Sequence, residues 1–277
     1  EDLADITSIE VLEKTNNTAK VKFVVNNKNA ENISRIELEN VTCNIISQEY
    51  STGKSEVIVT LEGPKTYVSK YGILSITTKG VLNLEYTREY EAGERNIYVD
   101  FYKEINTVAD WAEVNKYPTE NYILMNDLDF INQTSNIIIT NEFKGKIEGN
   151  NYTIRNITIP TGYKALFNSL TGSISNLNLE NYKQNITGGG TFGLMQANRN
   201  SKLDNVHVKN IEISKTDNSE IIFGGIVGQA NYSSVKNSSV TNENIKIDTY
   251  LDSITIGGIM GQSSYSNIEN WCDWWCC

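Results

Sequence analysis

The chain has 277 residues and a mass of 31.1 kDa, room for one large domain or two ordinary ones around a real hydrophobic core. Thirty-four acidic residues against 24 basic ones give a formal charge of -10 and a pI near 4.8, so a phosphate backbone is repelled rather than steered in and nucleic acid is close to excluded as a partner. Hydrophobic residues make up 39%, the mean hydropathy is -0.37, and no apolar run approaches the roughly 20 residues of a spanning helix, so membrane insertion is not expected.

The start, Glu1-Asp2-Leu3, has neither the charged nor the apolar region of a secretory signal, which is therefore absent or cut away with other upstream sequence. From Ile6 to about Tyr102 the pattern is period-two alternation in short runs: Ala19 to Val25, Ser55 to Leu61, Gly72 to Thr78 and Asn96 to Phe101. Each run buries one face and wets the other. The breakers Asn26-Asn27, Thr52-Gly53, Gly63-Pro64 and Ala92-Gly93 recur at a spacing that suits about seven antiparallel strands. Residues 1–103 thus read as an immunoglobulin-like β-sandwich, without the Cys…Trp…Cys pin of an antibody domain. Cys43 lies in an alternating strand and reads as a half-buried structural thiol.

A single helix is expected at about 107–116, where Val108, Trp111, Ala112 and Val114 form an apolar stripe and Tyr117-Pro118 stops the turn. It could serve as a linker or as a plug over the end of the next domain's core, and the plug is favoured because its stripe needs a surface to cover.

Of 36 asparagines, 26 follow residue 100. Many belong to a repeated unit, apolar-x-Asn-apolar-x-apolar-x-Asn, seen at 174–181, 203–210 and 235–242, with a partial copy at 154–159 and a truncated one at 268–271. A second element, Phe192-Gly193-Leu194-Met195-Gln196, Gly224-Gly225-Ile226-Val227-Gly228-Gln229 and Gly257-Gly258-Ile259-Met260-Gly261-Gln262, keeps the same period. A unit of this size with strand grammar buries its apolar face only if successive turns stack. The expected class is all-β, the sandwich followed over 104–271 by a right-handed parallel β-solenoid with one short capping helix. Asn156, Asn176, Asn205, Asn237 and Asn270 are expected in file at one corner, because Asn accepts left-handed backbone and its amide can bond to the turns on either side. Gly193, Gly225 and Gly258 are expected at another corner, where a Cβ would collide. Ser238 is a blemish in an otherwise aliphatic inner column. Residues 272–277, with Cys272, Cys276 and Cys277, break the pattern and read as an artificial appendage, a fragment end or a thiol site.

No catalytic set emerges. His207 is the one histidine, so a two-histidine zinc helix cannot be built here, and its outward slot between Val206 and Val208 suits a solvated surface residue. Asp127 and Asp129 share one strand face and are weak candidates for calcium or for carboxylate chemistry, set against the plainer role of capping backbone amides at a corner. The 15 tyrosines can support protein or glycan contact, or simply be ordinary strand residues.

The Gly-Gly-Ile-Val-Gly-Gln and Gly-Gly-Ile-Met-Gly-Gln elements resemble the GLUG repeat of bacterial surface proteins. The string from Asn121 to Phe130, followed by Phe143 to Ile154 and Ala165 to Asn168, is similar to the N-terminal region of the IgA1-specific zinc metallopeptidases, or Zmp proteins, of Gram-positive bacteria. The resemblance covers residues 104–270 and implies a secreted or cell-wall-attached protein. This chain would then be a non-catalytic module that positions a host glycoprotein such as immunoglobulin A. It carries no cofactor of its own, the zinc belonging to a downstream catalytic domain. Rival classes are a surface adhesin or spacer without protease, and a carbohydrate-binding or carbohydrate-active β-helix, with a surface glycan as partner.

Overall fold

The computed structural model describes residues 6–25, 33–38, 41–63, 73–79, 84–91, 101–133, 137–248 and 253–270. The chain divides into two compact units, Glu1–Lys103 and Glu104–Cys277. Residues 96–100 of the expected strand at 96–101, and the tail from Trp271 to Cys277, lie outside the described residues.

The first unit is an immunoglobulin-like pair of antiparallel sheets. One holds Ile6–Lys14, Thr18–Val25, Glu56–Glu62 and Asn44–Tyr50 side by side; the other holds Val41–Thr42, Ile33–Leu38, Ile73–Lys79 and Glu85–Glu91. The alternation in sequence becomes alternation in space: Ala19, Val21, Phe23 and Val25 are buried, as are Val57, Val59 and Leu61 opposite them. They share one core with Ile36, Cys43 and Ile76. Each such aliphatic or aromatic side chain is worth about 1.5–3 kcal/mol relative to exposure. Cys43 is fully rather than half buried.

The second unit is a parallel β-solenoid. Tyr122 pairs with Ile147, 25 residues on; Ile147 with Ile174, 27 on; Ile174 with Leu203, 29 on; Leu203 with Val235, 32 on; and Val235 with Ile268, 33 on. Each pair is one turn, and the turns lengthen along the chain. A second inward column runs Leu128, Ile154, Leu179, Val208, Val240. Two further stacks close the coil: Phe167–Leu170, Met195–Arg199, Val227–Asn231 and Met260–Ser264 form one, and Gly190–Phe192, Ile221–Gly224 and Ile254–Gly257 the other. All three stacks contribute apolar residues to one core, with Ile254 and Ile256 of the last turn left exposed.

The helix, Val108–Lys116, begins at Thr107, whose hydroxyl accepts from the Asp110 N–H while the Asp110 carboxylate accepts from the Thr107 N–H. This reciprocal cap satisfies donors that a helix start leaves orphaned. Trp111 and Val114 are wholly buried in the solenoid core. The Trp111 indole N–H donates to the Ile137 carbonyl at 2.8 Å, and its ring meets Phe130 and Phe167 edge-on at 6.2 and 5.9 Å. The helix therefore closes the first turn of the coil. Replacing Trp111 by Ala should cost about 3–5 kcal/mol, through the lost contacts, the cavity and the orphaned Ile137 carbonyl; urea unfolding of the variant measures it, and a loss below 1 kcal/mol would deny the plug.

Candidate recognition face

The outer surface of the long sheet is framed by two columns of left-handed asparagines. In the first, Asn156, Asn181, Asn210 and Asn242 succeed one another, each Nδ2 donating to the Oδ1 one turn before: Asn181 to Asn156 at 3.1 Å, Asn210 to Asn181 at 3.0 Å, Asn242 to Asn210 at 3.0 Å. The column starts on a carboxylate, Asp129, which accepts from Asn156 at 2.7 Å. In the second, Asn176 donates to the Glu148 carboxylate, Asn205 to Asn176 at 2.8 Å and Asn270 to Asn237 at 3.1 Å. All eight have φ between 50° and 60°, the region Asn enters most cheaply after Gly.

Two placements differ from the sequence expectation. Asn156 does not lie in file with Asn176. Arg155 pairs with Glu180 and Ile157 with Tyr182, so Asn156 stacks on Asn181, and the carboxylate of Glu148 holds the place below Asn176. The repeat unit carries an Asn at each of its two corners, and the partial copy at 154–159 supplies the second. His207, between the columns, is half-buried rather than freely solvated: Nδ1 lies 2.7 Å from the Ser239 hydroxyl and Nε2 2.8 Å from the Asn205 Oδ1. With Asn205 Oδ1 so engaged, Asn237 donates instead to Asp204, at 2.7 Å.

The serine in the inner column is accounted for. Ser238 is buried, accepts from the Val206 N–H at 3.1 Å and donates to the Lys236 carbonyl at 2.7 Å, so its hydroxyl is paired at no desolvation loss. Across the outer face, charges oppose one another from turn to turn: Lys183 and Glu212 at 2.9 Å, Lys236 and Glu269 at 2.8 Å. Such exposed pairs add little stability, but a slipped register would break them and set each charge opposite an uncharged residue. Beside the first column Asn181, Lys183, Asn210, Glu212 and Asn244 line a polar recess of about 320 Å³.

At the glycine corner the reason for glycine is close approach, since none of Gly193, Gly225 and Gly258 has positive φ. A Cβ on Gly225 would sit 2.2 Å from the Gly258 carbonyl oxygen, and one on Gly193 2.5 Å from the Gly228 nitrogen. Phe192 pairs with Phe223 and Gly224 with Gly257, so Gly193 stacks on Gly224 rather than Gly225. Gly225 is the residue by which the later turns exceed this one, and it stacks on Gly258.

Asp127 and Asp129 are both spent on the next turn. Asp127 pairs with Arg155 at 2.7 Å and accepts from the Thr153 N–H at 2.8 Å; Asp129 accepts from Asn156 and, at 3.0 Å, from the Ile131 N–H. Among the described residues no group of three or more His, Cys, Asp or Glu is placed to hold a metal. A second buried polar device is Lys215, wholly enclosed in the column between Ile186 and Ile247, whose ammonium turns out to the Asp217 carboxylate and the Gly188 carbonyl. Nothing in the periodic pattern marks this pair. Also missed were Tyr232 and Tyr265, exposed and left-handed at a third corner; their spacing of 33 residues, the turn length there, was the available signal.

A model of the GLUG motif matches residues 221–246, which span the strand of the third stack, the glycine corner and the next three strands, nearly one full turn. Comparison with curated proteins finds no match. The fold and the motif together define a parallel β-solenoid with GLUG turns.

Two outcomes follow from the columns. Asn210→Ala removes two amide bonds and puts a Cβ residue without a bonding amide in left-handed backbone, for a loss of about 2–3 kcal/mol, whereas Asn210→Gly restores the backbone and loses about half as much; thermal melts of the two rank them, and equal losses would contradict the column. The carboxylates set the acid limit. Asn156, then the Ile131 N–H, hold Asp129 below the usual range, and Lys215, then Ser219, do the same for Asp217. A depressed folded pKa gives stability that is complete above the ordinary aspartate value near 3.9 and lost as pH falls through the folded value. Melting temperature should therefore hold from neutral pH to about 4 and fall below it, less steeply in Asp217→Asn; a curve unchanged by that substitution would remove Asp217 from the account.

Proposed function

We propose that the chain is a non-catalytic recognition module of a bacterial secreted or wall-attached protein, the N-terminal region that positions the substrate of an IgA1-protease-like zinc metallopeptidase. Its partner is a host glycoprotein of the immunoglobulin A type. The observation that carries the recognition reading is the outer face: a flat sheet framed by amide columns whose positions are fixed turn by turn, so that polar groups are displayed with little conformational freedom left to lose on binding. The peptidase placement is supported by the similarity of residues 121–130, 143–154 and 165–168 to that family's N-terminal region. Among the described residues no cluster is placed to hold zinc, and the one histidine lies between Ser239 and Asn205; in this reading the metal belongs to the peptidase's catalytic domain.

Surface plasmon resonance of the purified 277-residue chain against immobilised human IgA1, with IgG as reference, tests the reading. Saturable binding to IgA1 above the reference is expected. Equal or absent response to both would leave the spacer role and reject the positioning one.

A further inference from the structure

A third corner follows the strands Met195–Arg199, Val227–Asn231 and Met260–Ser264, and it is occupied in successive turns by Asn200, Tyr232 and Tyr265, with φ of 61°, 49° and 50°. The Asn200 N–H donates to the Tyr232 carbonyl at 3.1 Å and the Tyr232 N–H to the Ser264 carbonyl at 2.9 Å. Among the described residues of the solenoid unit, every other left-handed non-glycine residue is an asparagine. A bulky side chain is an outlier there, and strain of this kind concentrates where the surrounding structure needs a particular group. The core gains nothing from it: Tyr232 is 53% exposed and Tyr265 80%.

The two rings lie parallel, 4.9 Å between centroids and 8° between planes. Beside Tyr232 is a recess of about 480 Å³ lined by Glu142, Thr171, Arg199 and Asn231 as well as Tyr232 itself. Tyr265 comes from the turn after Tyr232, and the remaining lining comes from its own turn and the turns before, so the recess meets the ring face that Tyr265 does not cover. The Arg199 side chain, in a chain with ten more acids than bases, makes no ion pair or hydrogen bond among the described residues. Glu142 is held by Lys144 at 3.0 Å.

An exposed aromatic face joined to a guanidinium, a carboxamide, a hydroxyl and a carboxylate is matched to one kind of ligand. The C–H face of a pyranose lies on the ring, and its hydroxyls need paired donors and acceptors around the rim. A peptide added as a strand is disfavoured, because Met195–Arg199 and Val227–Asn231 are each paired on both sides and offer no edge. Nucleobases would bring phosphate to an acidic surface. We infer that Tyr232, Arg199 and Asn231 form a pyranose-binding site at this corner, with Tyr232 the stacking platform and Arg199 engaging the hydroxyl or carboxylate edge of the sugar. The inference rests on the recognition reading above and names the part of a glycoprotein that the module reads.

Saturation-transfer NMR of the full chain with methyl glycosides of galactose, N-acetylglucosamine, N-acetylneuraminic acid and glucuronic acid tests it, the first two neutral and the last two acidic. Transfer to the ring protons of at least one series is expected, with affinity reduced at least 10-fold in Tyr232→Asn and in Arg199→Ala, and less in Tyr265→Asn. Because Tyr232→Asn installs the residue used at the other corners, its melting temperature should equal or exceed that of the parent. No transfer to any glycoside, transfer unaffected by Tyr232→Asn, or a clear fall in that variant's melting temperature would each overturn the site. Binding to IgA1 before and after enzymatic deglycosylation separates the two readings. Binding that survives both deglycosylation and Tyr232→Asn keeps the positioning module and rejects the sugar site; sugar binding without IgA1 binding does the reverse.

Discussion

A solenoid has to turn its chain sharply several times per coil without leaving backbone or side-chain polar groups unpaired, and the asparagine columns answer that constraint. Left-handed backbone makes the corner, and an amide that both donates and accepts lets each corner bond to the one before it. A column of ionised aspartates could make similar turns but, having only acceptors, could not pass a bond from turn to turn. The columns need a first acceptor, and a carboxylate supplies it: Asp129 for one, Glu148 for the other. Of the two acidic residues that looked like candidate chemistry in the sequence, Asp129 is thus the end of a structural chain of bonds, and Asp127 is held by Arg155 and the Thr153 N–H.

The same constraint explains the exceptions. Where His207 takes the Asn205 acceptor, the next asparagine moves to Asp204, and the second column continues with its bonds rerouted. Where the inner column holds Ser238, two backbone groups take up its hydroxyl. Where a lysine is enclosed, its stem fills the column between two isoleucines and its ammonium is led out to Asp217, in keeping with the rule that a charge is tolerated inside only when paired. Among the described residues of the solenoid, only the tyrosines of the third corner depart from the pattern with no gain to the core, and the sugar site proposed for Tyr232 gives that departure a use.

The class of fold was legible because period is a property of sequence. Alternation over residues 19–25 and 55–61 and recurrence of the Asn and Gly elements at about 30 residues each follow from geometry that repeats, and repetition survives into the string of letters. The phase between unequal turns was not legible. Asn156 and Asn176 look equivalent in their immediate neighbours, yet the turn between them is shorter than those that follow, and only the pairing of Arg155 with Glu180 reveals that Asn156 belongs to the other corner. The same is true of Gly193 and Gly225, which differ by one inserted residue.

The sequence by itself determined that the chain folds as stacked strands, that a helix with a buried Trp111 would close one end, and that asparagine and glycine would occupy the corners, since these depend on local backbone preference and on side-chain period. The tertiary structure alone decided which amide meets which, that His207 is bonded at both nitrogens, that Lys215 reaches Asp217 from inside the coil, and that Tyr232 faces a recess bounded by Arg199 and Glu142. Most of those groups lie one or more turns apart in the chain, and their meeting depends on the exact length of every turn between them; Lys215 and Asp217 are only two residues apart, but the enclosure of Lys215 between neighbouring turns is what the stacking decides.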